Sequence, residues 1–412
     1  MKIPDGWKKV KFGDVVHKVN DKVLNREEWT FERYIGGQHF DEGEIRVTNS
    51  SPIKGNEEVI GSAFHMKFKP GQVLYVTRNP RLRKGGMVDF EGVCSNVSFV
   101  MQADETQLLQ SLLPFIIQTE DFVIHTCNNA HGSTNPFLNW KDIAKFELML
   151  PPLDEQKKIN EILWSIEDNI KTLQILNKKT DKLFYKVMNE SLTPLINLTK
   201  LMKLDIKNIP TGWNKLNLIE LSKDGINNGV FNDPKKIGSG YRLINVKNLY
   251  SGNCIDVHEL TLLELSLKEF LRNKAEKGDL FFTRSSLVVE GIAHSNINLS
   301  SKEDITFDGH VMRVRPNEKQ INPLYLLFYC KTKFSRLYLQ AHGKTTTMTT
   351  ISQKDLGSLP VIFPKLKAQN RTLNNFLSFK QTIQNQTGYL EYLKNLRNKF
   401  SNEFLSGNIT LS

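Results

Sequence analysis

The chain is 412 residues long, with 39% hydrophobic residues and a formal net charge of +11. This length supplies two or three domains with cores of their own and excludes wholesale disorder, while the surplus of lysine and arginine points to a polyanionic partner, nucleic acid before an anionic membrane. No apolar run approaches the ~20 residues that span a bilayer, Met1 to Asp5 lacks the apolar core of a secretory signal, and Cys94, Cys127, Cys254 and Cys330 form no CxxC pair. The expectation is a cytoplasmic protein with four buried thiols and neither a disulfide framework nor a zinc ribbon.

Taken in chain order, the elements of the first half recur in the second at an interval slightly above two hundred residues, and such repetition decides architecture before any other signal. Ile3, Pro4, Asp5, Gly6 and Trp7, leading to Val16, return as Ile209, Pro210, Thr211, Gly212 and Trp213, leading to Leu221. The strand-like run Gly71 to Arg78 (GQVLYVTR) returns as Gly278 to Arg284 (GDLFFTR). A hydroxyl-bearing loop, Gly132, Ser133, Thr134 and Asn135, returns as Gly343, Lys344, Thr345, Thr346 and Thr347, and LPPLDEQ (Leu150 to Gln156) as FPKLKAQ (Phe363 to Gln369). Short β-rich runs at Val73–Thr77, Val97–Met101, Leu280–Thr283 and Val311–Val314 read as strands, and Gln107–Gln118 and Leu324–Tyr338 as helical pieces between them. The fold class is α+β: two mixed globular domains in tandem pseudo-repeat, joined by two long antiparallel coiled-coil helices.

Each copy closes on one of those helices. Ile159, Leu163, Ile166, Ile170, Leu173, Asn177, Thr180, Phe184 and Val187 step by threes and fours as a heptad seam requires. Pro151 and Pro152 precede the helix, Asp154 is a suitable cap, and Pro194 marks the far end. Thirty-odd residues make a rod roughly 50 Å long. The second helix carries Phe376, Phe379, Ile383, Leu390, Leu393, Phe400 and Phe404 on one face, with Gly388 inside it and Gly407 as its stop. Two such helices bury their stripes most easily against each other, and the intervening domain makes the pairing antiparallel, with the domains at opposite ends. The expected segments are 1–150 and 196–363 for the globular domains, and 151–195 and 364–412 for the helices.

A search for chemistry finds little. Gly343, Lys344 and Thr345 resemble the end of a phosphate-binding loop, but Tyr338 stands where its first glycine is required. Asn135, Pro136 and Phe137 lack the second proline of an adenine-methyltransferase motif, Gly238, Ser239 and Gly240 read as a turn, and Glu155, Gln156 and Lys157 have no acidic partner of the kind a nuclease needs. The nine histidines form no HExxH and no pair at metal-ligand spacing, so His39, His125 and His131 read as structural or polar-surface residues and no metal is expected. A flexible basic loop, Arg78, Asn79, Arg81, Arg83 and Lys84 followed by Gly85 and Gly86, is a natural DNA contact, since arginine reads guanine edges and lysine holds phosphates. It reads alternatively as a solvated turn. In the second copy only Arg284 survives, followed by Ser285, Ser286 and an apolar run, so the two copies read different sequences if they read DNA at all. Ser133, Thr134, Lys344, Thr345 and Thr346 are further candidates for phosphate contact, or ordinary turns.

This arrangement resembles the specificity subunits of type I restriction-modification systems over nearly the entire chain. LPPLDEQKKINEIL (Leu150 to Leu163) is similar to the Pro-Pro-Leu-x-Glu-Gln start of that family's first helical spacer, and Pro4 to Trp7 and the turn Thr77, Arg78, Asn79, Pro80 resemble it as well. The resemblance implies a non-catalytic DNA-binding scaffold. Its two target-recognition domains would each read half of a split, asymmetric site in double-stranded DNA, with the helices as a ruler. Two modification subunits would dock on it, bringing S-adenosylmethionine, and restriction subunits would join with ATP and Mg2+; the chain itself would hold no cofactor. Leu153, Glu155 and Gln156 would form a junction between helix and domain or partner, or only cap the helix. The second copy departs from the pattern, having Lys365 for the second proline and Ala368 for the glutamate. The competing reading is a free-standing sequence-specific DNA-binding protein or repressor without enzyme partners.

Overall fold

In a computed structural model, residues 5–194, 209, 211–345 and 347–409 are described. Pro4, Pro210 and Thr346, singled out from the sequence, lie outside them. The chain forms two compact units: the described residues through Leu176 together with those from Gln386 onward, and Asn177–Asn385. Two 40-residue helices, α1 (Leu153–Leu192) and α2 (Leu366–Leu405), are each divided between the two units. They exceed the expected thirty-odd residues, and the units cut across the four segments expected from the sequence.

Both units are built to one plan. In the first, β1 (Val16–Val19), β2 (Val73–Val76), β3 (Gly85–Met87) and β4 (Ser98–Ala103) form an antiparallel sheet in the order β1-β4-β2-β3. In the second, β5 (Ser222–Asn228), β6 (Leu280–Thr283), β7 (Ser295–Ile297) and β8 (Val311–Pro316) repeat it as β5-β8-β6-β7. Each unit adds a second sheet containing one parallel pair, Arg33–Ile35 with Gly92–Ser95 and Ile237–Ile244 with Ile305–Phe307. The helical run expected at Leu324–Tyr338 breaks into Pro323–Cys330 and Lys333–Ala341, because Thr332 caps the second piece with its side chain. Gln107–Gln118 is reduced to a 3-10 turn and one α turn, Gln110–Ile116.

The recurring motifs meet in space. Lys8–Lys11 pairs antiparallel with Glu147–Leu150, and Trp213–Asn217 with Pro360–Pro364, so the opening segment of each domain lies beside the strand that leads into its long helix. Gly6 adopts a left-handed φ of +78°, and a Cβ there would press within 3.1 Å of Pro152. The Trp7 indole donates to Glu155 at 2.9 Å.

The helix starts are then clamped by a glutamine. Gln156 is fully buried: its oxygen accepts from the Leu109 amide at 2.9 Å, and its nitrogen donates to the carbonyls of Gln107 at 2.7 Å and Pro151 at 2.9 Å. Gln369, exactly as buried, accepts from the Asn322 amide at 2.8 Å and donates to Gln320 at 3.0 Å and Pro364 at 2.8 Å. All four pairs of positions lie 213 residues apart. Asp154 is already within the first helical turn, so the capping role expected of it passes to this clamp. At the far ends Pro194 follows α1, and Gly407, with φ +75°, follows α2.

Within the first unit, Ile159 and Leu163 of α1 and Phe404 of α2 pack into one core with Phe12, Phe115 and Phe122. Within the second, Phe184, Met188 and Leu192 of α1 and Leu373 and Phe376 of α2 pack with Tyr325 and Tyr329. Of the expected seam residues, Ile159, Leu163, Ile170 and Phe184 of α1 and Phe376, Leu393 and Phe404 of α2 are buried and the others half-buried; Glu167 and Met188, rather than their neighbours Ile166 and Val187, are the buried residues on α1, with Glu167 opposite Arg397 on α2 at 2.7 Å. Arg397 also donates to the Gly43 carbonyl at 2.9 Å. Of the cysteines, Cys94 and Cys330 are buried, with thiols pushed up to about 12 by burial, whereas Cys127 is exposed and Cys254 half-buried. Cys127 sits at a helix end, and Cys254 lies in a loop at the margin of the second unit's core. No helix among the described residues is long and apolar enough to cross a membrane.

Removing one partner of a buried ion pair strands the other, at a cost of about 3–5 kcal/mol. Arg397→Ala is expected to destabilise the chain by that amount in urea unfolding at neutral pH. Burial already raises the Glu167 carboxyl above its ordinary range, against the pull of Arg397. The folded state therefore holds that proton more tightly than the unfolded one, and without Arg397 more tightly still, so the deficit narrows as the pH falls from about 8 to about 5. A deficit that does not change with pH counts against the stranded carboxylate.

Candidate nucleic-acid interface

The two loops singled out in the first copy come together at the end of β2. Asn79 donates to the Asn135 side chain at 3.0 Å, and its amide to the Pro136 carbonyl at 2.8 Å. Arg78 donates to the Asn135 carbonyl at 3.3 Å and lies over the Phe137 ring at 5.3 Å, a cation–π contact that keeps the guanidinium extended and exposed. Ser133 and Thr134 are exposed beside it. Behind them, His131 bonds the Asp142 carboxylate at 2.9 Å and His125 the Asp142 carbonyl at 2.8 Å. Burial opposes ionisation of Asp142, but the Asn139 amide and the His131 ring hold its carboxyl below the usual range. These histidines brace the loop.

The basic run itself is neither flexible nor uniformly available. Asn79 and Arg83 take left-handed conformations at φ 50° and 48°, bracketing a 3-10 turn at Pro80–Leu82. Gly85 and Gly86 belong to β3, where a Cβ would lie 2.9 Å from the Leu74 carbonyl oxygen and 2.6 Å from that of Ile45. These glycines permit close strand packing, which corrects the expectation of a flexible tip. Arg83 is spent on Glu120 at 2.6 Å, and Lys84 on the Gly37 carbonyl at 3.2 Å. Arg78 and Arg81 are the exposed cations of the five-residue set.

The second copy assembles its candidates differently. Ser285–Ser286, Thr349–Thr350 and Lys344–Thr345 form a small antiparallel sheet, with Ser285 opposite Thr350 and Thr350 opposite Lys344. The hydroxyl-rich segment is thus a ribbon, with Thr345 and Thr349 hydroxyls 3.0 Å apart. Arg284, Lys344 and Thr345 are exposed there, Arg284 donating to the Gly309 carbonyl at 3.4 Å. Two features escaped the sequence reading. Leu287 is 82% exposed at the tip beyond Ser286, although its apolar run was visible. Residues 319–380 hold ten lysines and arginines against one acid, Asp355, which a sliding charge count would have found.

Of the junction residues, Gln156 is wholly consumed inside the first unit, Glu155 is engaged by Trp7, and Leu153 is half-buried. Among the described residues no group of three or more His, Cys, Asp or Glu side chains is placed to hold a metal ion.

Comparison with known proteins places this geometry. A family model described as the type I restriction modification DNA specificity domain matches twice, over residues 4–183 and 210–395. The specificity subunit of the type I restriction enzyme EcoKI from Escherichia coli (strain K12) is 24% identical over 254 residues, covering 59% of this chain and 54% of that protein. The EcoBI subunit from Escherichia coli is 23% identical over 63% of this chain and 57% of its own length, so these matches span little more than half of either relative. The MjaVIII subunit of Methanocaldococcus jannaschii is 18% identical, covering 99% of this chain and 94% of its own. A solved structure concerned with complex assembly and conformational transition of the type I R-M system superposes with a TM-score of 0.64 at 17% identity, covering 99% of this chain and all of the other. The type I restriction-modification S subunit from M. genitalium does so with a TM-score of 0.52 at 12% identity, covering 98% of each. The fold is shared.

The division within the basic run is testable on the purified chain. Arg83→Ala, which loses Glu120 and a carbonyl, is expected to lower stability by about 1 kcal/mol. Arg81→Ala is expected to stay within about 0.5 kcal/mol of the parent, as exposed substitutions do. Equal melting temperatures for the two variants would contradict the assignment.

Proposed function

This chain belongs to the type I restriction-modification DNA specificity family, and from that premise we propose that it is the non-catalytic, sequence-reading subunit of such an enzyme, binding a split and asymmetric site in double-stranded DNA. The observation that carries the reading is one framework written twice and finished differently each time. Strand order repeats, and the glutamine clamp and helix start do so at one interval of 213 residues, while the exposed ends of β2 and β6 carry unlike side chains. A duplicated frame with divergent tips suits the recognition of two unlike half-sites.

In the first copy, Arg78 and Arg81 are the residues for guanine edges in the major groove, with Ser133 and Thr134 for backbone phosphates and Asn79 holding the two loops together. In the second, Arg284, Lys344, Ser285 and Thr345 take these roles, and Leu287 offers an apolar surface to a thymine methyl group. The surplus positive charge supplies the non-specific part of the affinity. Two modification subunits dock on the chain, bind S-adenosylmethionine and methylate an adenine turned out of the duplex; restriction subunits, with ATP and Mg2+, join that assembly. The chain's own part is to bind and orient the DNA, in the cytoplasm.

The test is to co-purify the chain with a type I modification subunit from the same source and map methylated adenines in DNA exposed to the complex. A stable complex that methylates one split motif supports the reading. A chain that stays alone and leaves no methylation overturns it in favour of a free-standing DNA-binding protein. Arg78→Ala with Arg81→Ala is expected to weaken cognate binding at least about tenfold and to relax preference in one half-site. Arg284→Ala is expected to relax the other.

A further inference from the structure

The second unit contains a cavity of about 580 Å³, within the size range of small-molecule sites. Part of its wall is apolar and aromatic: Phe184 from α1, Leu377 from α2, Phe328 from the helix between, and a stacked pair formed by Tyr250 and His294, 4.3 Å and 14° apart. Three cations line it, Lys331, Arg336 and Lys380, and no acidic side chain does. Arg336 is spent on the carbonyls of Glu290, Ile292 and Ala293, each at 2.7 Å. Lys380 lies over the Phe184 ring at 4.6 Å. Among the described residues neither Lys331 nor Lys380 has an ion-pair partner, and burial together with Lys380 pushes the Lys331 ammonium down to about 8. Ser295, 2% exposed, also lines the cavity, and its hydroxyl has no hydrogen-bond partner there.

The first unit shows what the missing charge looks like. At the 213-residue interval of the glutamine clamps, Lys380 corresponds to Glu167, Phe184 to Arg397, Gln381 to Asp168 and Lys331 to Gln118. In that copy the cations are met: Arg397 and Arg46 by Glu167, Arg46 by Asp168, and Lys394 by Glu44. Gln118 is neutral and donates to three carbonyls, of Glu44, Arg83 and Gly85. The second copy has exchanged its acid for a lysine, placed a second lysine where the neutral amide stood, and kept an open cavity before them. Two partly buried ammonium groups without counter-charge are costly unless an anion joins them.

We propose that this cavity binds a small organic anion, a phosphate or carboxylate borne on an aromatic or aliphatic body, with Lys331 and Lys380 holding the acid group, Ser295 donating to it, and the Phe184 and Tyr250 walls covering the body. None of the residues lining the cavity is among those assigned to DNA, and the proposal does not depend on that assignment.

The experiment is calorimetric titration of the full chain with phenyl phosphate, benzoate, inorganic phosphate and phenol. Phenyl phosphate or benzoate is expected to bind at least tenfold more tightly than inorganic phosphate or phenol, and the preferred acid group identifies the ligand class. Lys331→Gln, which installs the first copy's residue, is expected to weaken that binding at least tenfold without lowering the melting temperature. Lys380→Glu, which restores the first copy's acid beside Lys331, is expected to abolish it and raise the melting temperature. Absence of binding by both organic anions, equal binding of inorganic phosphate or phenol, or undiminished binding by the two variants would each overturn the proposal.

Discussion

A single buried carboxamide sets the direction of each long helix. Gln156 and Gln369 each answer one loop amide and two carbonyls from positions where water does not reach. A buried amide or carbonyl left without a partner costs about 1–3 kcal/mol, so three such bonds made by one rigid group fix both the residue at which the helix begins and the angle at which it leaves its domain. Once that angle is fixed, the seam residues one and two turns further on, Ile159 and Leu163 in the first unit and Leu373 and Phe376 in the second, have only one core to enter.

The clamp also explains how much the rest of the surface was able to diverge. Helix start and strand order rest on main-chain groups and on the glutamine alone, so the side chains at the sheet ends and in the helix seam are open to change without loss of the frame. In the seam, an ion pair between Glu167 and Arg397 in one unit has its counterpart in a lysine over the Phe184 ring in the other. At the sheet ends, an arginine-bearing turn braced by histidines corresponds to a serine and threonine ribbon. The first difference lies in the buried helix seam and the second at the exposed sheet ends, and both exchange charge and hydrogen bonding within a common scaffold.

Much of this was legible in the sequence, because its signals are local. Leu280–Thr283 is a strand with the bounds expected, the two seams follow from three- and four-residue steps, and Gly407 stops α2 as a glycine in a left-handed turn does. What escaped depends on partners far along the chain. Arg83 and Lys84 belong to a basic run, but Glu120 and the Gly37 carbonyl take them out of circulation. Gly85 and Gly86 have the composition of a hinge and the position of a strand edge, decided by the Ile45 and Leu74 carbonyls. Glu167 and Arg397, 230 positions apart, look like a solvated helix face until the chain between them is folded. The pairing of Ser285 and Ser286 with Thr349 and Thr350 is of the same kind, since neither segment carries a strand signal by itself.

The sharing of helices between units bears on how the chain is made. The second unit, Asn177–Asn385, is complete in one continuous stretch. The first needs the stretch beginning at Gln386, so the domain that leaves the ribosome first is the last to be finished. Until Arg397 and Phe404 arrive, Glu167 has no counter-charge on α2 and the core around Ile159 and Leu163 stands open on one side. Translation that stops short of α2's second half would leave the early domain unsealed beside a finished late one. The second half of α2 thus acts as a seal on a unit whose larger part is made before it, and quality control that senses exposed apolar surface would find incomplete chains at that earlier unit.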